Sequence, residues 1–314
     1  MELPHIYLPV AGNAANLLVL LGFGGVVGLL SGLFGVGGGF LLTPLLIMIG
    51  IPPAIAAASD SNQIVGVASS GTFAHARSGN VDYKMGLLLL VGGVVGGTAG
   101  VRVIKLLLAT GQAGFTIQLT YVVMLGFIGS YMFVDSLRAL RSTKRPITRV
   151  QEPAVPYRRS AYARLVEALP YRIDFVRSGV RLSVFVPLSL GVLVGVLSAI
   201  MGVGGGFIMV PVMVYLLRMP MHVVVGTSLF QILFTCVNVT VLQAYMNRTV
   251  DFVLALVLLV GSASGAQIGA RISKRLQADQ LKIMMACIIL AAMVAMVLGL
   301  VVRPATLLTY PGGH

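Results

Sequence analysis

The hexapeptide Gly-Val-Gly-Gly-Gly-Phe occurs twice in this chain, at Gly35 to Phe40 and again at Gly202 to Phe207. No other feature constrains the fold as much, because it ties two distant stretches to one local geometry. The correspondence extends outward from both copies. Ser31 matches Ser198 and Pro44 matches Pro211 at the offset of 167 set by the hexapeptides, and Gln63-Ile64 matches Gln231-Ile232 at 168. Asp82, Gly92, Gly100, Arg102 and Lys105 match Asp251, Gly261, Gly269, Arg271 and Lys274 at 169. Small insertions account for the drift. Two homologous halves follow, an internal symmetry typical of membrane transporters.

A membrane is the solvent such halves require. Of the 314 residues 57% are hydrophobic and only 10% charged, which excludes a water-soluble domain. Apolar runs of the roughly 20 residues that cross a hydrocarbon core follow one another from Leu17 to Leu137 and from Val184 to Val302. A barrel would show short alternating segments instead. The expected architecture is therefore an all-α polytopic membrane protein of two inverted-topology repeats, each of about five helical segments. Residues 15–137 form the first transmembrane repeat, 138–182 a basic linker and 183–302 the second repeat. Five crossings per half would give the halves opposite orientations.

The net charge of +13 is concentrated in that linker, where Arg138, Arg141, Lys144, Arg145, Arg149, Arg158, Arg159, Arg164, Arg172, Arg177 and Arg181 outnumber Glu152, Glu167 and Asp174. By the positive-inside rule it is cytoplasmic, and its partner is anionic lipid, not nucleic acid. Cys236 and Cys287 lie inside separate apolar runs, as buried small hydrophobes do, so no disulfide is expected. The chain's partners are then a small substrate and the lipid bilayer, with a homodimer as one admissible assembly.

The glycine runs are where chemistry is expected. Four glycines in five residues interrupt a helix, at a cost of about 1 kcal/mol each relative to alanine, and irregular backbone at that depth must be covered by protein or line a cavity. Each run therefore forms the tip of a broken helix or hairpin. A glycine turn leading into a helix leaves backbone N–H groups unpaired at the positive end of the helix dipole, which favours anions. Gly37, Gly38 and Gly39 with Gly204, Gly205 and Gly206 are the candidate anion contacts. No Lys-Ser/Thr follows either run, so neither is a nucleotide-binding P-loop.

Polar stripes accompany both runs. Ser59, Asn62, Gln63, Gly66 and Ser70 share one helical face of segment three, and Thr227, Gln231, Thr235 and Asn238 share one face of its repeat. They predict either an aqueous route between the halves, with Ser59, Asn62, Gln63, Thr227, Ser228 and Gln231 as substrate contacts, or hydrogen bonding between helices. Asp60 is the one acid within the apolar span of segment three, and its counterpart is Ser228. An ionisable group there marks a pathway, a proton relay or a buried partner; Asp60, and more weakly His75, are the proton-coupling candidates. Asp82 and Asp251 open helices as caps. Paired carboxylates, a nucleophile with a base and metal-ligand clusters are all missing from the pattern, so neither an enzyme nor a cofactor or metal is expected.

With the duplicated Ser-x-x-x-Gly-Val-Gly-Gly-Gly-Phe-x-x-x-Pro stretch, Ser31 to Pro44 and Ser198 to Pro211, and with Gly226-Thr227-Ser228 after the second copy, the chain resembles the sulfite exporter TauE/SafE family of bacterial membrane permeases. The resemblance covers both halves. It departs from the family pattern at Ala58-Ser59-Asp60, where a Thr-Ser pair is usual. It implies a secondary transporter of a small sulfur-containing anion, sulfite or an organosulfonate, in the bacterial inner membrane, working by alternating access. A passive anion channel and a non-transporting membrane scaffold are the rival readings.

Overall fold

The computed structural model describes residues 5–34, 37–141, 170–175, 177–217, 219–273 and 278–302. Most of the predicted linker, residues 142–169, lies outside them. The first half runs β1 (His5–Leu8), β2 (Asn13–Asn16), α1 (Leu17–Phe34), α2 (Gly39–Met48), α3 (Pro53–Arg77), α4 (Tyr83–Ala109) and α5 (Ala113–Arg141). The second runs β3 (Arg172–Phe175), β4 (Val180–Ser183), α6 (Phe185–Met201), α7 (Gly206–Pro211), α8 (Met221–Leu242), α9 (Phe252–Ser273) and α10 (Ala278–Val302). Helices α7 and α8 are each prolonged by one π-helical segment, Val212–Leu216 and Gln243–Asn247.

Among the described residues, five helical stretches are long and apolar enough to cross a membrane: Tyr83–Ala109, Ala113–Asp135, Val223–Asn247, Phe252–Gly269 and Ile283–Val301. Large apolar side chains such as Val95, Val123, Phe127, Val260 and Leu298 are exposed on them, which only lipid makes favourable. This is a multi-pass all-α membrane protein. Helix α3 is as long, at 25 residues, but carries the polar run Ser59 to Gln63, of which Ser59, Asp60, Ser61 and Gln63 are buried.

Packing follows the duplication. Helix α1 lies against α9 and α6 against α4, so the first helix of each half is held by the fourth helix of the other. Helix α3 packs on its counterpart α8, and α5 on its counterpart α10. Glycine makes the exchange possible. A Cβ on Gly24 or Gly28 would stand 2.7 or 2.1 Å from the carbonyl oxygens of Leu258 and Ser262, and one on Gly265 or Gly269 would stand 2.0 Å from those of Gly25 and Leu29. The other seam repeats the arrangement. Gly92, Gly96 and Gly100 of α4 meet the carbonyls of Leu188, Val192 and Val196 at 2.2, 2.0 and 2.8 Å, while Gly191 and Gly195 of α6 meet those of Leu89 and Gly93. In lipid, where apolar surface gains little by hiding from apolar solvent, this backbone approach supplies the packing.

The two hairpins were not expected from apolar periodicity, and the second lies inside the stretch read as linker. Each sits ahead of the first helix of its half, and each is bonded to the other half. Asp251 Oδ2 accepts from the N–H groups of Val10 and Ala11 at 3.0 and 3.3 Å; Asp82 Oδ2 accepts from Ser178 N–H at 3.1 Å and from its hydroxyl. The second oxygen of each carboxylate accepts from Leu254 N–H and Met85 N–H within its own helix, both at 3.1 Å. Asp82 and Asp251 are thus caps, as the sequence suggested, and interdomain ties as well.

Candidate anion site

Both glycine runs fold as turns that place a helix start inside the protein. Gly37 and Gly38 have φ of 86° and 75°, and Gly204 and Gly205 have 69° and 77°, a left-handed conformation that only glycine enters cheaply. The conserved spacing from serine to glycine has a packing cause in both copies. A Cβ on Gly38 would touch Ser31 Cβ and Val27 Cγ1 at 3.0 Å; one on Gly205 would touch Ser198 Cβ at 3.5 Å and Val194 Cγ1 at 2.5 Å. Helix α2 then begins at Gly39 and α7 at Gly206. Among the described residues, the N–H groups of Gly37 to Phe40 and of Gly204 to Phe207 have no hydrogen-bond partner; the first to find one are Leu41, to Gly38, and Ile208, to Gly205.

The two turns meet. A Cβ on Gly39 would stand 3.2 Å from Val203 Cα, inside the second hexapeptide. One side chain touches both: Ile64 lies 2.5 Å from the Gly39 Cβ position through Cδ1, and 4.0 and 3.3 Å from those of Gly37 and Gly204 through Cγ2. Ile232, the counterpart of Ile64, and Cys236 cover Gly204 at 2.9 and 2.6 Å. The rings of Phe40 and Phe207, one from each hexapeptide, are 5.8 Å apart between centroids. Apolar side chains therefore close over unpaired donors, an occluded arrangement.

The polar groups expected around these turns are only partly there. Asp60 is, and it is wholly buried. Its Oδ2 accepts from Thr43 Oγ1 at 2.8 Å and lies 3.1 Å from the Gly39 Cβ position, while Oδ1 has no partner among the described residues. Gln63 donates through Nε2 to Ser262 Oγ of α9, and Gln231 donates through Nε2 to Thr235 Oγ1 at 2.8 Å. The Oε1 atoms of both glutamines are buried without a partner among the described residues.

The remaining predicted contacts sit elsewhere. Ser59 Oγ accepts from Asp251 N–H at 3.0 Å, and Thr227 Oγ1 from Asp82 N–H at the same distance, so both hydroxyls hold helix starts. Ser228 donates to Val225 O in its own helix, and Asn62 is half-buried. His75 is four helical turns from Asp60, about 22 Å along α3, too far to share its site. Asn238 reaches Val94 O and Thr98 Oγ1 of α4. Gln63 and Asn238 thus bond between helices, while Ser70 is exposed and bonds within its own helix.

Three neighbours were missed from sequence. Thr43 binds Asp60. Tyr121 of α5, fully buried, donates its hydroxyl to Met201 O at 2.6 Å, and Ser61 donates to Gly202 O at 3.1 Å. A sequence signal existed for Tyr121 only in retrospect, as a hydroxyl within an apolar helix. Among the described residues no group of His, Cys, Asp and Glu side chains could hold a metal ion.

Comparison with known proteins gives this arrangement a family. The chain is 27% identical to Probable membrane transporter protein YunE of Bacillus subtilis (strain 168), over 87% of this chain and 94% of that protein. It is 28% identical to Probable membrane transporter protein YjnA of the same organism, over 88% and 96%. An archaeal relative, Probable membrane transporter protein MJ0441 of Methanocaldococcus jannaschii, is 23% identical over 87% and 91%. No solved structure matches. The family model described as Sulfite exporter TauE/SafE matches residues 20–296, which takes in both glycine turns and every residue placed around them, and the chain belongs to that family.

Proposed function

We propose that the protein is a secondary transporter that carries a small sulfur-containing anion, sulfite or an organosulfonate, through a site between the two glycine turns. The observation that carries this reading is the convergence of both turns, each with N–H groups that have no partner among the described residues, on the single residue Ile64. Donors of this kind suit a tetrahedral or pyramidal oxyanion, since each oxygen accepts from several directions. Gly37 to Gly39 and Gly204 to Gly206 would bind the anion, and Gln63 and Gln231 would turn their free carboxamide oxygens away from it or bind a proton-bearing cargo. Asp60 would carry the coupling proton.

On this reading the two halves have inverted topology. Helices α1 and α2 enter and leave by one face and leave three crossings per half, α3, α4 and α5, an odd number that reverses the second half. The positive-inside rule then sets the linker on the cytoplasmic side of a plasma membrane. The rocking units of alternating access would be the exchanged pairs, α1 with α9 and α4 with α6, because separating the sequence halves would tear both glycine seams.

Purified protein reconstituted in liposomes tests this. Sulfite should accumulate against its gradient when a pH gradient is imposed, and sulfite at 100 times its Kd should stabilise the fold by about 2.7 kcal/mol. Flux that only ever equilibrates sulfite would make the protein a channel. No binding and no flux of sulfite, methanesulfonate or sulfoacetate would leave the scaffold reading in its place.

A further inference from the structure

The two glycine turns are equivalent in sequence but not in support. Two consecutive carbonyls at the break of the second turn, Met201 and Gly202, each receive a hydroxyl from the first half, Tyr121 on α5 and Ser61 on α3. Both donors are fully buried. Gly202 is pinned further by its left-handed backbone, with φ of 73°, and by Ala57 O, 2.0 Å from its Cβ position. In the opposite direction the equivalent donors are missing. Ser61 corresponds to Leu229, at the offset of 168 that relates Gln63 to Gln231, and α10, the counterpart of α5, contains no serine, threonine or tyrosine in any register. Thr43 likewise corresponds to Val210 and Asp60 to Ser228.

We infer that Tyr121 and Ser61 are positioning residues for the anion: they hold the second glycine turn in its donor geometry in advance of binding, and the first turn is the one that moves onto the cargo. This rests on the transport reading above. The physical reason is that a carbonyl at a helix end, buried without a partner, is costly, and the chain can relieve the cost only by distorting the turn. With Tyr121 and Ser61 present no distortion is needed, and the N–H groups of Gly204 to Phe207 stay aligned. A pre-aligned turn spends none of the binding free energy on its own ordering. The first turn, for which the second half carries no hydroxyl at the positions matching Ser61 and Tyr121, orders as it closes. Asp60 faces that closing side from α3, beside Gly39 and bonded to Thr43 of α2, so the moving turn closes against the coupling group.

The experiment uses full-length protein in detergent and in liposomes. Hydrogen exchange in the unmodified protein should be at least tenfold slower at residues 202–207 than at 37–41. Tyr121→Phe and Ser61→Ala should each raise exchange at 202–207 about tenfold and leave 37–41 unchanged. In liposomes both should raise KM for sulfite about tenfold and leave the maximal rate within twofold, and Ser61→Thr should restore KM. Equal exchange at the two turns in the unmodified protein overturns the inference. So does a fall in maximal rate at constant KM, or a loss of thermal stability with both KM and local exchange unchanged, which would mark a merely structural role. If Tyr121→Phe does not fold, Ser61→Ala carries the test. If the unmodified protein transports no sulfite, the transport reading fails, while the exchange difference between the turns and its removal by either variant still decides whether these hydroxyls fix the second turn.

Discussion

Gly96→Ala and Gly265→Ala should each lower the melting temperature of the purified protein by roughly 6–12 °C, whereas Gly22→Ala should leave it unchanged or raise it. All three add one methyl group to a helix interior. At Gly96 and Gly265 that methyl would stand 2.0 Å from a backbone oxygen, Val192 O in one seam and Gly25 O in the other, while at Gly22 nothing lies within 4 Å. A clash with a side chain can be relieved by a rotamer change; a clash with a carbonyl in a packed helix cannot. The helices must separate along the whole seam, an overpacking cost of about 3 kcal/mol or more, at about 2–4 °C per kcal/mol for a chain of this size or slightly smaller. At Gly22 the change only gains helix propensity, up to about 1 kcal/mol. Thermal melts in one detergent compare the three directly. Should Gly96→Ala and Gly265→Ala melt like Gly22→Ala, the exchanged packing of α1 with α9 and of α4 with α6 is wrong.

These seams mark the limit of what the sequence discloses. Small-residue spacing at Gly92, Gly96 and Gly100, repeated at Gly261, Gly265 and Gly269, states that a backbone comes close, but not which one. Exchange between the halves satisfies the pattern as well as pairing within a half, and only the fold chooses. The polar stripes on α3 and α8 carry a similar ambiguity. Inside a membrane both a water route and a helix seam require polar groups on the buried face, so periodicity alone cannot separate them; Gln63 on Ser262 and Asn238 on Thr98 are the interhelical bonds that the fold adds.

The hairpins were legible only through the duplication. Strands of four residues carry too little alternation to stand out, but Gly12 and Gly179 are separated by the same 167 residues as the hexapeptides and both adopt positive φ, 67° and 65°. Extending the repeat upstream past Ser31 would have removed residues 172–182 from the linker. Asp60, in contrast, was visible at once, because an acid in an apolar span has no cheap explanation. Its partner Thr43 was not, since it comes from the other arm of the glycine turn.

Asp60→Asn should fold, bind sulfite and exchange it across a liposome membrane, yet lose at least tenfold in accumulation driven by a pH gradient. Of Asp60, Asp82, Asp135, Asp174 and Asp251, Asp60 is the one wholly buried with a carboxylate oxygen lacking a partner among the described residues. Asp82 and Asp251 have both oxygens occupied by N–H or O–H donors, Asp135 accepts from Tyr215, and Asp174 pairs with Arg181 on the exposed hairpin. Asp60 is buried, keeps Oδ1 without a partner and stands beside the start of α2. Among the described residues Tyr121 and Cys236 interact electrostatically with it, and neither offers a compensating positive charge. Asparagine retains the size and can still accept from Thr43 Oγ1, so the hydrogen bond that closes α2 onto α3 survives while the exchangeable proton does not. Asp60→Leu is the contrasting variant: it orphans the Thr43 hydroxyl, and an unsatisfied buried donor costs about 1–3 kcal/mol, so it should lose stability as well as coupling. Uphill accumulation by Asp60→Asn equal to that of the unmodified protein would place the coupling group elsewhere, and failure of Asp60→Asn to exchange sulfite at all would make Asp60 part of the anion site instead.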